Sequence, residues 1–126
     1  MFPTPLRRAL VAATLVLATP AAALAHHGWS WAETEKTTLE GTIRSISMAP
    51  PHPTLKVEAA DGKVWQVDLG NPGQTERSGF TAASAKPGDA VTVLGNRSLE
   101  PGATHMKAVR ITIGGRNYDM YPERID

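Results

Sequence analysis

Four histidines, His26, His27, His52 and His105, are the side chains best able to bind or release protons and metals near neutral pH, and two of them directly follow a cleavage pattern. Ala23-Leu24-Ala25 has the small-x-small form after which a signal peptidase cuts. A cut after Ala25 makes His26 the chain terminus. Its free α-amine and its own Nδ1 can then close a six-membered chelate on one metal ion, which no internal histidine can do. A terminal amine has a pKa of about 7.7–8.0, low enough for a metal to displace its proton near neutral pH. Two or three nitrogens in a plane suit Cu(II), which also heads the affinity order of the divalent ions. Copper is the cofactor these residues lead one to expect.

Two other arrangements use the same residues. The amine, the deprotonated His27 amide and the His27 imidazole could bind Cu(II) without help from the fold. In a metal-free reading, the two rings are polar residues at a terminus. Trp29 and Trp31, two apart and so on one side of an extended segment, then tuck against the domain. The first arrangement resembles the histidine brace of exported copper proteins, including lytic polysaccharide monooxygenases and some periplasmic copper carriers.

The segment before the cut explains why it is expected. Arg7 and Arg8 form a basic start, Ala9 to Ala18 an apolar run, and Pro20 a helix break. A bilayer span needs about 20 apolar residues, twice this run, so residues 1–25 read as a signal peptide and not a membrane anchor. The expected location is periplasmic or secreted. The full chain has 126 residues, no Cys, and 13 basic against 12 acidic groups. Removing residues 1–25 takes away Arg7 and Arg8 and leaves 101 residues with 11 basic and 12 acidic groups. One domain fits that length, and its near-neutral charge argues against nucleic acid as a partner. Only 17 of those 101 residues are Leu, Ile, Val or Phe, so Trp29, Trp31 and Trp65 are expected to complete a thin core.

The elements that must position the histidines are mostly strands. Residues 26–37 read as an extended segment and 38–126 as the domain. Leu39, Gly41 and Ile43 share one parity and Ile46 and Met48 the other, so a β-bulge is predicted near Arg44-Ser45. Pro50-Pro51-His52-Pro53 ends the strand as a loop. Leu55, Val57 and Ala59 then alternate, as do Trp65, Val67 and Leu69. Pairing 57 with 65 and 55 with 67 puts both sets on one face, which selects a three-residue loop with Gly62 in the left-handed position. Asn71, Pro72 and Gln74 read as the N-cap, first turn and capping-box position of a two-turn helix that Gly79 stops. Val91 and Val93 mark the next strand, Asn96 to Thr104 a loop, and Val109, Ile111 and Ile113 the last long strand. Gly114-Gly115 turns into a ribbon that carries Tyr118 and Met120.

The order predicts a mainly β domain: a small five-stranded OB-like barrel with one short helix between strands 3 and 4 and a C-terminal β ribbon. A small open sandwich is the other possibility. In the barrel, His52 falls in the loop joining strands 1 and 2 and His105 ends the loop joining strands 4 and 5, both on the ligand rim. Met48 and Met106 lie beside them in sequence. That mixture of Met, His and Trp resembles the site of a periplasmic copper-efflux chaperone that is itself an OB barrel, although its close Met-x-Met spacing is absent. Methionine is also common core filler.

Other chemistry finds no pattern. Glu33, Glu35, Asp61, Asp68, Asp89 and Glu100 stand singly at turn or strand-surface positions, with no pair suited to acid and base work. Nucleophilic triads and phosphate loops are missing, so the expectation is a binding protein and not an enzyme.

The runs HHGWSW, PHPTLKVEAADGKVWQVDL, NPGQTERSGF, KPGDAVTVLGNRS and MKAVRITIGGRNYDMYPER are together similar to a family of small exported bacterial proteins of unknown function. The resemblance covers nearly all of residues 26–126. It implies an exported barrel-like domain with signature positions at His26-His27 and Pro51-His52; Pro50 stands where that family more often has Asn. Two functions are therefore expected as alternatives. One is copper binding through His26 with help from His27, His52 or His105. The other is a metal-independent envelope protein-interaction module presenting Trp29, Trp31 and Tyr121 as an exposed aromatic patch.

Overall fold

The computed structural model describes Pro3 and residues 28–126. Residues 1–2 and 4–27, which hold the expected signal segment together with His26 and His27, lie outside the described residues. Six strands form one sheet: β1 (Thr37–Ser47), β2 (Thr54–Ala59), β3 (Val64–Asp68), β4 (Ala90–Arg97), β5 (His105–Ile113) and β6 (Arg116–Asp119), with helix α1 (Pro72–Ser78) between β3 and β4. Their order is β3-β2-β1-β4-β5-β6, and a parallel pairing of β3 with β5 closes the first five into a barrel. That closure decides between the barrel and the open sandwich. No helix among the described residues is long and apolar enough to cross a membrane.

Local sequence produces most of this. β2 and β3 pair Val57 with Trp65 and Leu55 with Val67, and Gly62 takes φ +81° in the turn. The β1–β2 register slips between Ile43 and Ser45, so Ile43 points into the core while the ladder continues past an extra Arg44. Asn71 caps α1 by accepting the Gln74 amide at 2.8 Å, and Gly79 ends it in the left-handed region at φ +87°. Two boundaries differ from the sequence reading. Asn96 and Arg97 belong to β4, and His105 opens β5 instead of ending a loop. Parallel pairing with Gln66 draws His105 into the sheet, and the Gln66 amide donates to the Thr104 carbonyl at 2.9 Å.

A second bulge sets the position of the candidate site. Leu94 pairs with Arg110 but Gly95 pairs with Ala108, leaving Val109 as the extra residue on β5. Unbroken alternation from Ile111 would have carried 109, 107 and 105 into the core. The bulge keeps Val109 in the core and adds Met106 and Ala108 to it, all at 0% exposure, while His105 and Lys107 turn to the other side of the strand, where Lys107 is still buried. The core gathers Ile43, Leu55, Val67, Phe80, Val93 and Ile111, with Trp29 and Trp65 packed partly against it. Met106 is core filler, whereas Met48 is 41% exposed. The ribbon is shorter than Arg116–Tyr121, because both Met120 and Tyr121 amides donate to the bulged Val109 carbonyl and the chain turns off into Pro122–Arg124.

Candidate functional site

Asp68, His52 and His105 meet at one end of the barrel, each delivered by a different element. Asp68 ends β3. It pairs with Thr54 on one side and with Lys107 on the other. The Leu69 amide holds the Pro53 carbonyl at 2.9 Å, which draws the preceding His52 to the same point. His105 sits on the outer face of β5 beside Gln66. The result is one carboxylate oxygen, Asp68 Oδ2, with His105 Nε2 at 2.8 Å and His52 Nε2 at 3.9 Å. Gln66 donates to the other oxygen, Oδ1, at 3.0 Å.

These contacts set the protons. His105 donates Nε2–H to the carboxylate, which can only accept. His52 Nδ1 lies 3.3 Å from the Pro53 carbonyl, which can only accept, and its Nε2 faces Asp68 Oδ2 at 3.9 Å. Asp68 itself is only 5% exposed. Burial pushes its carboxyl up, but hydrogen bonds from His105 and Gln66 and the charges of His105 and His52 outweigh burial and hold it below the ordinary value. The site thus contains a buried carboxylate that stays ionised.

Lys107 forms the next wall, with Pro51, His52, Asp68, Leu69, Asn71 and Tyr121 around a cavity of about 100 Å³. Burial pulls the Lys107 ammonium below its ordinary value, and Arg124 adds to this while Asp68 opposes it. Its Nζ stands 4.5 Å from the Trp29 ring centre and 5.4 Å from that of Tyr121, and it donates to the Gly28 carbonyl at 3.3 Å.

An N-terminal arm, residues 28–36, is strapped over this end. Trp29 meets Tyr121 edge-on at 4.8 Å with Arg124 3.9 Å from its centre, and Trp31 stacks on His105. Backbone bonds fasten the arm to the end of β4, from Glu33 to the Arg97 carbonyl at 2.7 Å and from Leu99 to the Trp31 carbonyl at 2.9 Å. Asn96, 5% exposed, points its amide at the carbonyls of Glu33, Thr34 and Glu35, 2.9, 3.3 and 3.3 Å away.

The sequence-derived site residues therefore separate into two groups. His52 and His105 come together, as a barrel rim predicts, while His26 and His27 fall outside the described residues. The exposed aromatic patch is corrected: Tyr121 is 8% exposed, and Trp29 is half-buried under two cations and an edge-on ring. These rings are spent on holding the arm. Asp68, by sequence an isolated strand-surface carboxylate, lies at the centre of the cluster. Its parity with Gln66, opposite to the core residues Val67 and Leu69, was the available sign. Among the described residues, no three or more His, Asp or Glu side chains are arranged to hold a metal ion.

Comparison with known proteins adds the fold and a family. No curated protein matches the chain. Among solved structures it is similar to a chain of the S. pombe Stn1-ten1 complex, with a TM-score of 0.52 and 20% identity over 62% of this chain and 57% of that one. The chain thus spans little more than half the length of that relative. Identity this low shows the fold alone, an OB-like closed barrel. Residues 13–107 match a family model, and the chain accordingly belongs to the family of unknown function DUF6152.

Proposed function

We propose that this is an exported, non-enzymatic copper-binding protein. Cleavage after Ala25 frees the His26 amine. Amine and imidazole then chelate Cu(II) with help from His27, His52 or His105 in the periplasm or outside the cell. One observation carries the reading: Lys107, a wall of the cavity shared by His52 and Asp68, holds the Gly28 carbonyl at 3.3 Å. Gly28, two positions after His26 in the sequence, is thus fixed at the residue that walls the His52 cavity, and pre-organisation of this kind favours affinity.

The test compares protein beginning at His26 with a form carrying one extra N-terminal alanine. Both are titrated with Cu(II) against a competing chelator. The extension should weaken binding by about tenfold or more, since it removes the primary amine from the chelate. Equal, weak binding by the two forms would sink the reading.

A further inference from the structure

We infer that the groove between the β4–β5 loop, residues 98–104, and the N-terminal arm is a binding site for a linear, neutral oligosaccharide. Neither His52 nor His105 lines this groove, so the inference stands apart from the copper reading.

Two cavities meet along the groove. One, of about 340 Å³, lies between the loop and the start of β3, with Lys63 and Trp65 in its wall. The other, of about 680 Å³, runs beside Ser30, Thr34 and Glu35 of the arm. Glu33, Arg97 and Leu99 line both, so an extended ligand can pass from one cavity to the other over these three side chains. Each volume falls in the ordinary range for ligand sites, about 300–1,000 Å³.

Charge selects the ligand class. In the first cavity Lys63 and Arg97 are balanced by Glu33 and Glu100, and the second adds a further carboxylate, Glu35. Such a lining has no excess of cations to hold a phosphate backbone or another polyanion; it suits a ligand that is polar but uncharged.

The polar groups have capacity to spare. Arg97 and Glu33 are paired only at 3.7 Å, with side chains 47% and 35% exposed, so the guanidinium keeps N–H donors and the carboxylate keeps lone pairs for the neighbouring hydroxyls of a sugar ring. Trp65 supplies the apolar contact. It packs partly against the core and also lines the first cavity, where the negative face of an indole accepts the weakly positive C–H bonds of a pyranose. An extended peptide would want a free strand edge instead. Here the arm already takes that place, with Ala32 bridged to Ser98 and the Leu99 amide on the Trp31 carbonyl.

The walls are held before any ligand arrives. The Glu33 amide bonds the Arg97 carbonyl at 2.7 Å, the Glu100 amide bonds Ser98 Oγ at 3.1 Å, and the Ala103 amide closes a turn on the Glu100 carbonyl at 3.2 Å, with Gly102 at φ +79°. A framework fixed in this way lowers the ordering cost of binding.

The test titrates protein beginning at His26, in excess chelator, with cellohexaose, maltohexaose and the hexamer of N-acetylglucosamine, read by amide NMR shifts and tryptophan fluorescence. At least one hexamer should bind with a Kd at or below about 1 mM and move the amides of Glu33, Ser98 and Thr104, and its monomer should bind about tenfold more weakly or worse. Trp65→Ala should weaken binding by about tenfold, the upper worth of a ring contact. Because Trp65 also supports the core, Glu100→Gln on the exposed loop is the second variant, and loss of a charged hydrogen bond there should cost about tenfold as well. Exchanging the chelator for Cu(II), or adding the N-terminal alanine, should leave saccharide binding unchanged. Dependence on either would move the ligand to the histidine rim and overturn the groove. Failure of all three hexamers to bind, or tighter binding of a heparin hexasaccharide or of hexaalanine at the same amides, would overturn the neutral saccharide.

Discussion

The indole of Trp31 lies on the imidazole of His105, with ring centres 4.2 Å apart and planes 13° from parallel. This contact joins the N-terminal arm to the Asp68 cluster, because the same imidazole donates to Asp68 Oδ2. An aromatic pair contributes about 0.5–1.5 kcal/mol beyond its buried area. Trp31→Ala should therefore lower the melting temperature by about 4–8 °C, and Trp31→Phe, which can still stack, by much less. In the alanine variant the His105 ring should also lose order, read as increased ring mobility by NMR. An immobile ring there would mean that Asp68 alone holds His105.

Asn96 governs the arm from its other end. Its buried amide points at three successive carbonyls, Glu33, Thr34 and Glu35, that form no strand ladder with the barrel. Asn96→Ala withdraws that donor, at a cost of about 1–2 kcal/mol. Loss should be local. The Glu33 and Leu99 amides, which bond across the arm, should exchange faster with deuterium, while those of the β2–β3 hairpin keep their protection. Uniformly faster exchange would show that the arm is part of the barrel's cooperative unit.

Short-range features of the fold were legible because they depend on neighbours in sequence. The pairing of Val57 with Trp65, the Asn71 cap and the slip after Ile43 each follow from alternation or turn chemistry within a few residues. What escaped depends on contacts far apart in the chain. Val109, Ile111 and Ile113 alternate cleanly, and nothing in that run announces that Val109 is a bulge and that Lys107 and His105 face outward. The reason lies fourteen residues before Val109, at Gly95. Asp68 escaped likewise, since the partner of its buried carboxylate, His105, lies 37 positions away.

Gly95 therefore offers a direct check on the bulge. A Cβ there would stand 2.3 Å from the Lys107 carbonyl oxygen and 3.0 Å from Met106 Cε, so backbone would have to move. Gly95→Ala should cost about 3 kcal/mol and disturb His105 and Lys107 along with it. Gly73 in α1 is the contrast: its Cβ would meet nothing closer than Arg77 Nη1 at 3.4 Å. Gly73→Ala should stabilise by about 0.5 kcal/mol through helix propensity and reduced freedom of the unfolded chain. Urea denaturation of the two variants measures both, and a Gly95→Ala protein as stable as the parent would mean that the close approach relaxes freely.

Asp89 supplies a pH dependence of defined sign. Its carboxylate accepts the Lys86 amide at 2.9 Å and the Lys86 ammonium at 3.0 Å, closing the turn before β4. That turn grips β1 beside the first bulge, through the Ile43 amide on the Asp89 carbonyl and the Gly88 amide on the Ile43 carbonyl. The Lys86 backbone hydrogen bond, then its side-chain bond and charge, hold the carboxyl below its ordinary 3.8 against the opposing effect of desolvation. A carboxyl lowered in the folded state binds fewer protons there than in the unfolded chain. Its stabilisation is complete above pH 3.8 and is lost as pH falls through the lower folded value. Asp89→Ala should thus melt below the parent by a constant interval from pH 7 down to about pH 5, and the interval should shrink once pH drops below 3.8. Melting curves at half-unit steps read this directly, and an interval that stays constant to pH 2 would assign the effect of the substitution to packing of the turn and not to the charge.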